Sequence, residues 1–235
     1  VRKIALNKKL AKVIDLSGRL RFQKRWAQTP RIPETSVLGH MLTVAIFGYF
    51  YSVKINACNV RLQNNFFVAL FHDLPEALTR DIISPVKYSV DELADIIAEY
   101  EVSQIEDKIM PYVPDDLKEE FSYILGLDEN NFKDEFENKI KENGTIKVVQ
   151  DMQRYNLDRY NAIDGKALKQ CDKLSAFIEA SLSISHGIKS KELLQGKKQI
   201  MSALEEIQSV DFYQIAKKID EEFGTTGTTQ TRMDL

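Results

Sequence analysis

Lys166-Ala167-Leu168-Lys169-Gln170-Cys171-Asp172-Lys173-Leu174-Ser175-Ala176-Phe177-Ile178-Glu179-Ala180-Ser181-Leu182-Ser183-Ile184-Ser185-His186 carries the clearest helical signature in the chain. Leu168, Cys171, Leu174, Ser175, Ile178 and Leu182 recur at three- and four-residue steps, so they form one stripe of an α-helix. Working outward, the same period governs Asn59 to Phe71, a buried helix ending at His72-Asp73. It also governs the apolar run that follows Thr35 or Ser36, either of which can cap it. Ser89-Val90-Asp91-Glu92 has the form of a capping box. Leu93, Ile96, Ile97, Tyr100, Ile105 and Ile109 then predict a helix that Pro111 ends. Weaker patterns predict helices over 4–15, 115–125, 131–142, 145–160, 190–209 and 211–222. No convincing alternating strand is visible. The segment 126–165 is rich in Asn, Asp, Glu and Lys and reads as a polar excursion, and Thr225 to Leu235 reads as a loose tail. The expectation is an all-α helical bundle in a single domain, 1–222, with a tail over 223–235.

Composition narrows the function. With 235 residues and 43% of them hydrophobic, the chain can bury a sizeable core and is not disordered. Its 32 basic and 35 acidic residues leave a net charge of −3, which gives no broad surface for a nucleic-acid polymer. Cys58 and Cys171 are too few for a disulfide framework or a thiolate zinc site. The basic start, Val1-Arg2-Lys3-Ile4, is not followed by an apolar secretory segment. Val37 to Val53 lacks charge but is short for a membrane span and contains His40, so it reads as a buried core helix. These features point to a cytoplasmic protein with no membrane partner.

Of three histidines, two fall on or beside the most apolar helices, where a polar ring needs a reason. His40 on one helix and His72-Asp73 at the end of the next could converge on a divalent ion, with a distant Asp completing the set. Such nitrogen and oxygen donors, without thiolate, suit one Mn, Fe, Co or Zn ion. Asp172 stands beside the apolar stripe, and a partly buried carboxylate needs a partner, although its spacing alone would not select it. The third histidine, His186, stands before Gly187 near a helix end and is not placed in the site.

His40, His72-Asp73 and Asp172 match the H…HD…D signature of the HD-domain metal-dependent phosphohydrolases, and the sequence resembles their bacterial 5′-deoxynucleotidase branch. Arg25-Trp26 and Ser36-Val37 are similar to that branch's Arg-Trp and Ser-Val segments. His72-Asp73-Leu74-Pro75-Glu76-Ala77-Leu78-Thr79-Arg80-Asp81, followed by Ser84-Pro85-Val86-Lys87-Tyr88, resembles its HD-x-x-E-x-x-T-x-D…PVKY stretch. Cys171-Asp172-Lys173-Leu174-Ser175-Ala176 resembles its final A-D-K-L-x-A element. The chain departs at Gly39, where the family carries a glutamate.

The resemblance implies an HD-domain bundle that hydrolyses nucleoside 5′-monophosphates, preferring deoxyribonucleotides, as a homodimer. It implies metal ligation by His40, His72, Asp73 and Asp172, and catalytic roles for Glu76 and Asp81. Arg25 would meet phosphate as a planar fork, Trp26 would wall the sugar or base, and Lys87 would hold phosphate charge. Which of Glu76 and Asp81 serves as base or acid stays open. Alternative readings are a phosphohydrolase acting on a cyclic nucleotide, a dNTP or a guanosine polyphosphate, and a non-catalytic module that binds a nucleotide or a protein.

Overall fold

The structure is a computed structural model and describes residues 8–79, 92–127, 136–206 and 212–229. Its helices are α1 (Lys8–Arg19), α2 (Val37–Lys54), α3 (Asn59–Phe71), α4 (Glu76–Thr79), α5 (Leu93–Lys108), α6 (Lys118–Ile124), α7 (Gly165–Ser185), α8 (Lys191–Glu205) and α9 (Phe212–Thr229). Asp81, Lys87 and Ser89 lie outside the described residues.

Helix α2 starts where Ser36 accepts a hydrogen bond from the Gly39 amide at 3.0 Å, which satisfies one orphan donor of the first turn. Val37, Met41, Val44, Ala45 and Gly48 turn its apolar face inward. A Cβ on Gly48 would stand 3.0 Å from Leu168 Cδ2 and 3.4 Å from the Asn65 carbonyl oxygen, so this glycine lets α2 lie close to both α3 and α7. Val44, Ala45, Val68, Ala69, Leu168, Cys171, Leu174 and Phe177 fill that junction, joined by Phe212 and Ala216 from α9. A second apolar cluster gathers Val13, Leu16, Leu20, Val37, Met41, Leu74, Ile105 and Ile109 beneath α1 and α5. By length and composition α2 is long and apolar enough to cross a membrane, and 39% of that stretch is buried inside the protein.

The excursion departs from the helical expectation. Over 131–142 and 145–160 the described residues form strands and 3₁₀ turns: β1 (Asn138–Glu142), β2 (Thr145–Val148) and, further on, β3 (Ile163–Asp164), in the order β2-β1-β3 with antiparallel pairing. The reason is local. Asn143 and Gly144 have φ of 51° and 79°, the two left-handed positions of a two-residue hairpin turn, and Glu142 pairs with Thr145 across them. Asn-Gly with Ile140 before it and Ile146 after it is a hairpin signal that outweighs the weak helical period. Among the described residues the body is helical, and this three-stranded sheet is the exception.

The sheet is tied to the helices by buried polar contacts. Arg61 forks onto Asp164 with bonds of 2.7 and 2.5 Å, Asn65 donates to the same carboxylate at 2.7 Å, and the Asp164 amide donates back to Asn65 at 2.9 Å. Asp164 immediately precedes α7, so this anchor fixes where α7 begins and hence where Asp172 falls, two turns along. At the other end, α9 runs through Thr229, five residues into the stretch that its threonines had marked as a loose tail.

Candidate metal centre

His40 lies in the second turn of α2 and is fully buried. Its Nε2 stands 2.9 Å from Asp172 Oδ1 on α7 and 3.7 Å from Asp73 Oδ2. Helix α3 ends at Phe71, and His72 occupies its C-cap, where Nδ1–H donates to the Ala69 carbonyl at 2.8 Å. A carbonyl can only accept, so this bond puts the ring proton on Nδ1 and leaves the Nε2 lone pair for the site. His72 Nε2 lies 3.3 Å from Asp73 Oδ2 and 4.0 Å from Asp172 Oδ1. His40, His72 and Asp73 form a group whose donor atoms all lie within 4.8 Å of one another and could hold a metal ion. Asp172 faces the same two imidazoles from α7. The imidazoles are closed off, while Asp73 and Asp172 keep 17% and 28% side-chain exposure, so the site opens on its carboxylate side.

The spacing of these donor atoms suits a divalent ion. Ligand atoms about 2.0–2.2 Å from an ion and set at right or tetrahedral angles lie roughly 3–3.5 Å apart. The four pairs above run from 2.9 to 4.0 Å. Two imidazoles and two carboxylates are also the right chemistry for a borderline ion. The residues fit.

Around this set, Arg25 Nη1 lies 3.4 Å from Asp73 Oδ2 and 3.8 Å from Glu76 Oε1. Burial would push its guanidinium pKa down, but Asp73, Glu179, Asp172 and Glu76 outweigh it and raise it further. Asp73 is held ionised despite burial by His72, Arg25 and His40. Burial and Arg25 act to lower the His40 pKa, but its bonds to Asp172 and Glu179 raise it. Glu76 begins α4, one turn past His72; the helix does not run through, because 72–75 form turns between α3 and α4. Its position still brings it beside Arg25.

Trp26 sits in the loop after the 3₁₀ turn Leu20–Phe22, with φ of 57°, a left-handed backbone uncommon for a tryptophan. Its indole N–H donates to Glu179 Oε2 at 3.0 Å, and a Cβ on Gly196 of α8 would stand 3.0 Å from its ring. Arg31 donates to the same Glu179 oxygen at 3.0 Å, and Glu179 Oε1 lies 3.0 Å from His40 Nδ1. The loop lines an open pocket of about 360 Å³ with Lys24, Arg25, Trp26, Gln28, Arg31 and Glu34 among others. His186 is exposed at the α7 C-cap, its Nδ1 2.8 Å from the Leu182 carbonyl oxygen.

The sequence-predicted residues therefore divide three ways. His40, His72, Asp73 and Asp172 come together, and Arg25 and Glu76 stand beside them. Trp26 reaches the group through Glu179. Asp81 and Lys87 lie outside the described residues. Glu179 was not among the candidates. A usable signal was present: it lies seven residues after Asp172, on the same helical face, as a carboxylate between Ile178 and Ala180 in an otherwise apolar run.

A family model described as HD domain matches residues 17–201. The chain belongs to the HD-domain family. Among characterised relatives it is similar to the Escherichia coli 5′-deoxynucleotidase YfbR, 28% identical over 130 residues, which is 53% of this chain. The match spans 63% of that relative, less than two thirds of its length. Among solved structures, an HD-domain phosphohydrolase from Listeria innocua superposes with a TM-score of 0.63 at 19% identity, covering 94% of this chain and 99% of that one. The cyanophage S-2L HD phosphohydrolase DatZ, solved with dA and one catalytic Zn²⁺ ion, superposes at 0.50 with 14% identity, covering 92% and 96%. These two likenesses are of fold.

Proposed function

We propose that the protein is a metal-dependent phosphomonoesterase that hydrolyses (deoxy)ribonucleoside 5′-monophosphates to nucleoside and phosphate, preferring deoxyribonucleotides. The observation that carries this reading is the placement of Arg25, its guanidinium 3.4 Å from Asp73 at the edge of a converged His40, His72, Asp73 and Asp172 set. A phosphate-binding fork beside a divalent-ion site is what a phosphate ester needs. The name 5′-deoxynucleotidase borne by the Escherichia coli relatives supports the substrate class, as does the dA bound to the cyanophage protein.

His40, His72, Asp73 and Asp172 would hold a divalent ion, which when bound would supply positive charge to phosphate oxygens and lower the pKa of a water molecule. Arg25 binds phosphate oxygens through its planar fork, kept in place by Asp73 and Glu76. Glu76 and Asp81 share two tasks, taking a proton from the attacking water and returning one to the leaving 5′-oxygen. Water attacks phosphorus in line, so no covalent enzyme intermediate is required. Trp26 walls the sugar, where a 2′-hydroxyl meets its ring, and Lys87 adds phosphate charge.

The proposal includes a homodimer. Its support is the outer face of α2, where Leu42, Ile46, Tyr49, Phe50 and Val53 are exposed at helical spacing.

The function is tested by phosphate release from matched dNMP and NMP pairs by metal-loaded protein, with dNTPs and cyclic nucleotides as further arms. Inorganic phosphate from dNMPs in preference to NMPs is expected. Turnover confined to dNTPs or cyclic nucleotides, or release of pyrophosphate, overturns the substrate assignment.

A further inference from the structure

We propose that Glu179 is a positioning residue through which metal affinity and nucleotide recognition are set together, an inference that rests on the function proposed above. Glu179 is 6% exposed and projects from α7 between the metal donors and the Trp26 loop. Its two oxygens are divided between them. Oε1 faces His40 Nδ1 at 3.0 Å, and Oε2 accepts from Trp26 Nε1 and Arg31 Nη1, each at 3.0 Å. Arg31, itself buried, passes the constraint on to Thr35 Oγ1 at 2.6 Å, next to the α2 N-cap.

The donor inventory fixes the roles. Indole N–H and guanidinium N–H can only donate, so Oε2 must accept. An ionised carboxylate has no proton to give, so His40 Nδ1 carries a proton and donates it to Glu179 Oε1; Nε2, 2.9 Å from Asp172 Oδ1, is the nitrogen left to ligate, and ion binding there would release any proton it shares with Asp172. Ser175 Oγ, 3.1 Å from His40 Nδ1, lies on the same side of the ring. The carboxylate that sets the tautomer of a metal ligand therefore also holds the ring proposed to wall the sugar.

Glu179→Gln preserves shape and separates these roles. A glutamine offers one acceptor oxygen, and its amide group can only donate. Either His40 faces a donor and carries its proton on Nε2, where it cannot ligate, or Trp26 and Arg31 face a donor and the loop is released.

The test compares wild type, Glu179→Gln and Trp26→Phe by Zn²⁺ competition with a chromophoric chelator and by KM and kcat on dNMPs at saturating metal. Glu179→Gln is expected to lose about 10–100-fold in Zn²⁺ affinity and to raise KM more than it lowers kcat. Trp26→Phe is expected to raise KM with Zn²⁺ affinity unchanged. On the unaltered Zn²⁺-loaded protein, ¹⁵N-edited NMR is expected to place the His40 ring proton on Nδ1 and to show it hydrogen-bonded to a carboxylate, a measurement that can overturn the inference even if Glu179→Gln fails to fold. A folded Glu179→Gln variant that binds Zn²⁺ as tightly as wild type, an unchanged KM in that variant, or a His40 proton on Nε2 overturns this inference alone. A wild-type protein that takes up no divalent ion overturns the proposed function and the inference with it.

Discussion

His40 Nε2 and Asp172 Oδ1 lie 2.9 Å apart although 132 residues separate them in the chain. The contact exists because α2 and α7 are drawn together at Gly48 and Leu168, and because Arg61 and Asn65 hold Asp164 where α7 begins. A metal site assembled this way is sensitive both to its ligands and to the anchor that sets the register of α7.

Removing a donor should empty the site without unfolding the protein. Asp73→Ala and His72→Ala are expected to lose stoichiometric divalent-metal binding, read by calorimetric titration. They should also lose the rise in Tm that metal gives the wild type. At a hundredfold excess of free ion over Kd, that stabilisation is about 2.7 kcal/mol. A variant whose Tm still climbs with metal would show that the ion binds elsewhere.

Glu76→Gln should separate chemistry from binding. The amide keeps the size and the contact with Arg25 but cannot take a proton. A fall in kcat of about 10²–10⁴-fold with metal affinity retained is expected from the loss of a proton-transfer group. An unchanged kcat would remove Glu76 from the reaction.

Arg61→Met should be costly, since it leaves the Asp164 carboxylate buried at 2% side-chain exposure without its ion-pair partner. Removing one member of a buried pair costs about 3–5 kcal/mol, measurable by denaturant unfolding. The exposed pair Arg19–Asp15, with side chains 55% and 52% accessible, provides the contrast: Arg19→Ala should cost under about 1 kcal/mol.

Two glycines should respond differently to alanine. At Gly165 a Cβ would meet the Glu137 carbonyl oxygen and Phe136 backbone carbon at 2.3 Å, and neither can step aside as a side-chain end could. Gly165→Ala should cost about 3 kcal/mol and, by displacing the start of α7, weaken metal binding as well. At Gly144 nothing lies within 4 Å, and only the φ of +79° opposes a side chain. Gly144→Ala should cost about 1–2 kcal/mol with metal affinity unchanged.

The legible part of the site was the part written in local pattern. His40 and His72-Asp73 are visible because polar rings on apolar helices need a reason, and helical spacing places them near one another. Asp172 was found through the resemblance, since one carboxylate beside a helical stripe is an ordinary feature. Glu179 is not legible in the same way, because its partners, His40, Trp26 and Arg31, lie 139, 153 and 148 residues away, and long-range pairing leaves no periodic trace. The hairpin is hard to read for another reason: weak helical spacing runs across the Asn143-Gly144 turn, although two left-handed positions decide the local backbone.

His40, His72, Asp73 and Asp172 are proposed to hold one divalent ion that supports phosphate release from nucleoside 5′-monophosphates. The most direct test is metal-supplemented turnover of dAMP by wild type and Asp73→Ala, followed as inorganic phosphate. The expected result is phosphate release by the wild type that a chelator stops and added metal restores, with no release by Asp73→Ala. Full metal-supported turnover by Asp73→Ala would contradict it.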